Sequence, residues 1–175
     1  SSGIPDFATQ NSYITDLMNY FNGGGIPQDA LEYIKNLSPL YTAGTKHTYS
    51  NSNYHILALL VEHITGSSFQ NFVTQQIITP LGLSNTFYKN EPGYPSPQGL
   101  PQYYIDWDDN GQITNSSSVE SKLIATTKGL NGMIATAEDY WKFAKALFRD
   151  NSLLKEPSVD FMKATSGSKG FHYGH

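Results

Sequence analysis

Gly44-Thr45-Lys46-His47-Thr48-Tyr49-Ser50-Asn51 leads straight into a largely apolar run. That run is Asn53-Tyr54-His55-Ile56-Leu57-Ala58-Leu59-Leu60-Val61-Glu62-His63-Ile64-Thr65, closed by Gly66. The run predicts a helix over 53–65, stopped where glycine accepts the left-handed conformation. Gly44 permits a turn that a residue with a Cβ would resist. Tyr49 and Asn51 stand two apart, a spacing that aims both side chains the same way if the backbone is extended. Asn51 or Ser52 offers a side-chain oxygen to the open N–H groups of the helix that follows. The stretch therefore reads as a rigid mount for a phenol and a carboxamide. A Tyr-x-Asn before a helix also has an ordinary explanation, a tyrosine packed with its hydroxyl paired and an asparagine used as a cap. Its meaning depends on what flanks it.

The composition narrows the field. The chain has 175 residues, of which 38% are hydrophobic and 13% aromatic, enough for one domain with a sizeable core. Charged residues are 15%, against roughly 25% in an average domain, so Ser, Thr, Asn, Gln and Tyr must supply much of the polar surface. A net charge of -4 and an isoelectric point near 5.6, with no Lys/Arg cluster, argue against nucleic acid as a partner. There is no cysteine, which removes disulfides, thiolate catalysis and thiolate metal sites. No apolar run reaches the roughly 18 residues of a membrane span. No signal peptide is visible.

Outward from the mount, Ser2-Gly3-Ile4-Pro5-Asp6-Phe7 is a turn by its glycine and proline. Apolar spacing predicts a helix over 13–21, broken by Asn22-Gly23-Gly24-Gly25. Pro27 suits the first turn of a short helix carrying Ala30, Leu31, Tyr33 and Ile34, which Ser38-Pro39 ends. Beyond Gly66, Ser67-Ser68 reads as a cap for a helix with Phe69, Phe72, Val73 and Ile77 on one side, closed by Thr79-Pro80-Leu81-Gly82. Residues 90–102, rich in Pro and Gly, form a surface loop. Tyr103-Tyr104-Ile105-Asp106-Trp107 and Gln112-Ile113-Thr114 flank the turn signal Asp109-Asn110-Gly111 as a hairpin. Lys128-Gly129-Leu130-Asn131-Gly132-Met133-Ile134 is a glycine-spaced loop. Thr136 and Asp139 then form a variant capping box, with Tyr140, Phe143, Ala144 and Leu147 on one helical face. Val159, Phe161 and Met162 suggest a last short helix, and Gly167, Gly170 and Gly174 an irregular tail. The whole is mainly α with a small β-hairpin.

Several of these pieces, taken in order, carry a family likeness: Ser2-Gly3-Ile4-Pro5-Asp6-Phe7, Tyr49-Ser50-Asn51-Ser52-Asn53-Tyr54, Thr65-Gly66-Ser67-Ser68-Phe69, Pro80-Leu81-Gly82-Leu83 and Gly129-Leu130-Asn131-Gly132-Met133-Ile134-Ala135-Thr136. Together they resemble the serine β-lactamase-like family, which holds class C β-lactamases, DD-peptidases and related esterases. The resemblance implies the helical part of an α/β β-lactamase/transpeptidase-like fold. It implies that residues 1–175 are a single partial domain, the central helical region. Of the family's three motifs only Tyr-x-Asn is present, as Tyr49-Ser50-Asn51. The Ser-x-x-Lys that supplies the nucleophile would lie upstream. The Lys-Thr-Gly or His-x-Gly strand would lie downstream, if Tyr173-Gly174-His175 begins that strand. The chain departs from the family at Ala43, where a proline is common, at His47, where a bulky apolar residue is usual, and at Asn131, which replaces a glycine.

A serine hydroxyl is a poor nucleophile until a base takes its proton. The resemblance gives Tyr49 the proton shuttle and Asn51 a hold on the substrate, with the lysine of the absent first motif beside the phenol; Lys46 is not assigned that role. An amide donates and accepts at once, so Asn51 can bridge such a lysine and a substrate amide. The implied reaction is acyl transfer through an acyl-serine on a β-lactam, a D-Ala peptide or an ester, with no metal and no cofactor. The isolated chain is then expected to be inactive. The implied setting is extracytoplasmic, and apolar faces meant for absent parts of the fold would favour association.

Other motif matches read as coincidence. Ser166-Gly167-Ser168-Lys169 follows Tyr49 and carries a glycine where a helix is needed, and His172-Tyr173-Gly174 is a cheap tripeptide. Asp106-x-Asp108-x-Asn110-Gly111 begins like a calcium loop but has Ser117 in the twelfth place, so a hairpin turn is preferred. The sequons at Asn36 and Asn115 carry no meaning in a bacterial-type hydrolase. His47, His55, His63, His172 and His175 show no zinc spacing and read as structural or exposed. Two rivals stay open: a non-catalytic binding module on the same scaffold, and a calcium-dependent surface domain.

Overall fold

The computed structural model describes residues 2–88, 100–106, 109–117, 126–166 and 171–172. They fall into two compact units, Ser1–Phe72 with Tyr88–Met133, and Val73–Phe87 with Ile134–His175.

The first unit opens with a 3-10 turn, Phe7–Thr9, whose N-cap is Asp6, and continues into helix α1, Asn11–Phe21. The break expected at Asn22-Gly23-Gly24-Gly25 is there, with Gly23 at φ +88. The short helix expected after Pro27 is a 3-10 turn, Ala30–Tyr33, capped by the Asp29 carboxylate on the Leu31 N–H. Pro27 lies ahead of that cap, outside the first turn, and the turn ends well before Ser38-Pro39. Phe7, Tyr13, Ala30 and Ile34 form the core of this unit, with Ile4, Leu17, Tyr33 and Leu130 packed against it. Edge-on ring pairs join Phe7 to Tyr13 at 4.9 Å and Tyr13 to Tyr33 at 5.2 Å, an arrangement that suits the ring quadrupoles. The Tyr33 hydroxyl donates to Asp16 at 2.7 Å. Burial and that hydrogen bond push its phenol up to about 12.

Helix α2, Ser52–Thr65, ends at Gly66 in the left-handed conformation, φ 66, as its glycine predicts. Its inward side places His55 and Ala58 out of solvent, while Tyr54, Leu57, Leu60 and Ile64 stand exposed. Helix α3, Phe69–Val73, follows and passes into a π turn, Thr74–Ile78. Ser68 Oγ accepts from the Asn71 N–H, so the expected cap is present. Strands β2, Tyr104–Ile105, and β3, Thr114–Asn115, pair antiparallel with Tyr104 opposite Asn115. The hairpin matches the expectation, though the return strand is displaced by a residue or two; Trp107 lies outside the described residues, as do residues 90–99 of the expected loop. Asp106 caps the turn through the N–H groups of Asn110 at 3.2 Å and Gly111 at 2.8 Å.

In the second unit, Val73, Ile78 and Leu83 are buried. Strand β1, Thr86–Tyr88, pairs with β4, Met133–Ala135, so Ile134, read as loop, belongs to a strand. Helix α4, Ala137–Phe148, starts at Thr136, whose hydroxyl accepts from the Asp139 N–H at 3.3 Å. The box is half formed, because Asp139 does not reach back to Thr136. Its carboxylate accepts from the Asn85 N–H at 2.7 Å, from the Thr86 hydroxyl at 3.1 Å and from Lys142 at 3.2 Å. This shifts the buried face to Asp139, Ala146 and Leu147, and leaves Tyr140, expected inside, exposed. The last short helix is present as α5, Glu156–Lys163, which buries Val159 and turns Phe161 outward at 75% exposure. Strands β5, Thr165–Ser166, and β6, Phe171–His172, pair antiparallel. Ser166 thus lies in a strand, not on the helix a nucleophile motif requires. Residues 167–170 and 173–175, with the rest of both tail motifs, lie outside the described residues.

Candidate active site

The site is built where residues 2–7 cross the start of α2. Gly44, at φ +83, turns the chain as expected. Ser50 and Ser52 are buried. Ser52 Oγ donates to the Pro5 carbonyl at 2.8 Å and accepts from the Phe7 N–H at 3.0 Å. Ser50 Oγ donates to the same carbonyl at 3.3 Å. One residue further along, Ser2 Oγ donates to Asn53 Oδ1 at 2.6 Å, and Asn53 Nδ2 donates to the Ser50 carbonyl at 3.2 Å. Two segments some fifty residues apart in sequence are therefore laced together by small polar side chains.

Tyr49 and Asn51 stand on this lacing. The Tyr49 hydroxyl donates to Asn51 Oδ1 at 3.1 Å, and the tyrosine is 63% exposed. The structure thus brings the two predicted residues together and keeps the phenol open to solvent. The backbone route differs from the expectation: Asn51 is helical, φ -59 and ψ -33, and not extended. Neither Asn51 nor Ser52 caps α2 with its side chain, because both are recruited by the 2–7 segment. Asn51 Nδ2 donates to Asp6 Oδ2 at 2.9 Å, and Asp6 Oδ1 accepts from the Ala8 N–H at 3.0 Å. Asp6, which in the sequence reads only as part of a turn, is thus a member of the site.

The glycine-spaced loop reaches α2 in the same unit. His55, buried, has Nε2 at 3.0 Å from Asp29 Oδ1 and Nδ1 at 3.3 Å from the Lys128 carbonyl oxygen. Lys128 Nζ donates to Glu62 Oε2 at 2.8 Å, and Glu62 Oε1 accepts from the Phe69 N–H at 2.9 Å. Burial alone would raise the Glu62 carboxyl, but these hydrogen bonds and the Lys128 charge outweigh it and hold the group below its ordinary value. A Cβ on Gly129, φ +77, would come within 2.7 Å of the Tyr54 carbonyl oxygen and 2.8 Å of Ala58 Cβ. No group of three or more His, Cys, Asp or Glu placed to hold a metal occurs among the described residues.

Comparison with known proteins identifies the scaffold. Residues 1–172 match the Beta-lactamase family. The chain belongs to that family. A penicillin-binding protein of Bacillus subtilis (strain 168) is 23% identical over 177 residues, 87% of this chain and 39% of that protein. A D-stereospecific amidohydrolase from Streptomyces sp. shares the fold with a TM-score of 0.77 at 21% identity, over 99% of this chain and 53% of that one. The D-amino acid amidase from Ochrobactrum anthropi SV3 shares it at 0.70 and 21% identity, over 94% and 44%. The chain spans about half or less of the length of these relatives. No helix among the described residues is long and apolar enough to cross a membrane.

Proposed function

We propose that this chain is the central part of a serine hydrolase that works by acyl transfer through an acyl-serine, with Tyr49 and Asn51 as its contribution to the active site. The reading rests on one observation: a solvent-exposed phenol hydrogen-bonded to a carboxamide that is itself held from behind. On this reading Tyr49 carries protons between the serine and the leaving group, and Asn51 offers the substrate its remaining N–H. On this reading the catalytic Ser-x-x-Lys is not Ser166-Gly167-Ser168-Lys169 but lies outside residues 1–175, which form one partial domain. Substrates fall within β-lactams, D-Ala-terminated peptides and esters, and the relatives named above favour an amide bond beside a D-configured centre. The reaction takes place outside the cytoplasm and needs no metal or cofactor. The exposed Leu57, Leu60 and Ile64 of α2 favour association with further protein surface.

A fluorescent penicillin or fluorophosphonate tests it. Residues 1–175 should stay unlabelled, whereas a longer protein carrying an upstream Ser-x-x-Lys should be labelled covalently. Tyr49→Phe should slow that labelling by about 10²-fold, the low end of what a positioned acid–base group supplies. Labelling of Ser166 in residues 1–175, or an unlabelled longer protein with its Ser-x-x-Lys intact, overturns the assignment; the second result would make the scaffold a binding module.

A further inference from the structure

We propose that Asp6 is a positioning residue that sets the direction of the Asn51 carboxamide, and through it the direction of the Tyr49 hydroxyl. The role rests on the hydrolase reading, but the geometry behind it does not.

A carboxylate only accepts hydrogen bonds, whereas a carboxamide has one accepting and one donating end. Asp6 Oδ2 lies 2.9 Å from the Asn51 side chain, so the end facing it must be Nδ2. Oδ1 is then left facing Tyr49, whose hydroxyl donates to it at 3.1 Å. The phenol proton is thereby directed at Asn51, on a tyrosine that is exposed to solvent. Were the amide reversed, Nδ2 would face the phenol oxygen and occupy a lone pair that a proton shuttle needs. The orientation follows from the chemistry of Asp6, not from any choice between two ends of an amide that look alike.

Asp6 is itself held to this task. Its other oxygen caps Ala8 at 3.0 Å. Its flanking peptide groups are tied to Ser52, the neighbour of Asn51, through the Pro5 carbonyl and the Phe7 N–H. Its own carbonyl accepts from Gln10 Nε2 at 2.8 Å. Backbone and both carboxylate oxygens are committed, so little rearrangement is open to Asn51. Prearranged support of this kind gives a site its precision.

Two variants separate positioning from capping. Asp6→Ser keeps a hydroxyl for the Ala8 N–H but cannot reach Asn51. In Asp6→Asn/Asn51→Asp the new amide caps Ala8 with its oxygen and donates to the new carboxylate, which still accepts from Tyr49. In residues 1–175, exchange of the Asn51 side-chain amide protons should quicken by about tenfold in Asp6→Ser, the effect of losing one charge-assisted hydrogen bond. The 13Cζ resonance of Tyr49 should move in that variant and return toward its original position in the double exchange, with Tm changed by about 2 °C at most. In the longer protein, Asp6→Ser should slow penicillin labelling about tenfold with KM little changed. Unaltered Asn51 exchange and an unmoved Tyr49 resonance in Asp6→Ser overturn the proposal. So does a Tyr49 resonance that fails to return in the double exchange. If the longer protein is never labelled, the hydrolase reading fails, and the two NMR measurements still decide the role of Asp6.

Discussion

Asp6 in the first unit and Asp139 in the second each accept a hydrogen bond from a segment distant in sequence, yet they do so to different ends. Asp139 is 1% exposed, with its oxygens committed to Asn85, Thr86 and Lys142. Burial would raise its carboxyl, but the Asn85 N–H, Lys142 and Thr86 together hold it below the ordinary value. Asp6 is half-buried and passes one hydrogen bond on to Asn51 and so to an exposed phenol. The useful mark is a carboxylate whose partner still has an open face.

That contrast can be broken experimentally. The largest effect should come from Asp139→Ala, which strips the Asn85 N–H and the Thr86 hydroxyl of their acceptor; unfolding followed by circular dichroism should show a fall in Tm exceeding that of any first-unit variant. Ser52→Ala should come next. It leaves the buried Phe7 N–H without its acceptor and the Pro5 carbonyl without its main donor, which costs about 1–3 kcal/mol, or roughly 2–4 °C in Tm for each kcal/mol in a chain of this size. A Ser52→Ala loss larger than that of Asp139→Ala would reverse the comparison. Mild acid should do least. Glu62 and Asp139 both have folded values below their reference values of 4.5 and 3.8. Their contributions are present above those reference values and are lost as the pH falls through the lower folded ones. Tm should therefore stay nearly flat from pH 6 to about 5 and drop below about pH 4; a drop already complete at pH 5 would show that neither carboxylate is held down.

What could be read in the chain was local. Gly66 as a helix stop, Thr136 as a cap, the Asp109-Asn110-Gly111 turn and the neighbourhood of Tyr49 and Asn51 all depend on residues within a few positions of each other. The misreadings share a cause. Ser52 and Asn51 have all the chemistry of caps, but their partners Pro5 and Asp6 lie 47 and 45 residues away, and no spacing rule reports that distance. Thr136 and Asp139 have the spacing of a capping box, but the Asp139 carboxylate goes to Asn85 and Thr86, so the buried face of α4 keeps Leu147 and leaves out Tyr140. The hydrogen bond between Glu62 and Lys128 lies beyond local patterns for the same reason, since its ends are 66 residues apart.

Gly129 sets a tolerance. Only a hydrogen fits between its α-carbon and the first two turns of α2, at Tyr54 and Ala58. The loop is thereby gauged against the helix to within the width of a methyl group, and the reach of the neighbouring Lys128 to Glu62 inherits that setting. Any larger residue would act as a shim, lifting the loop off the helix and opening the lysine clasp without touching a charge.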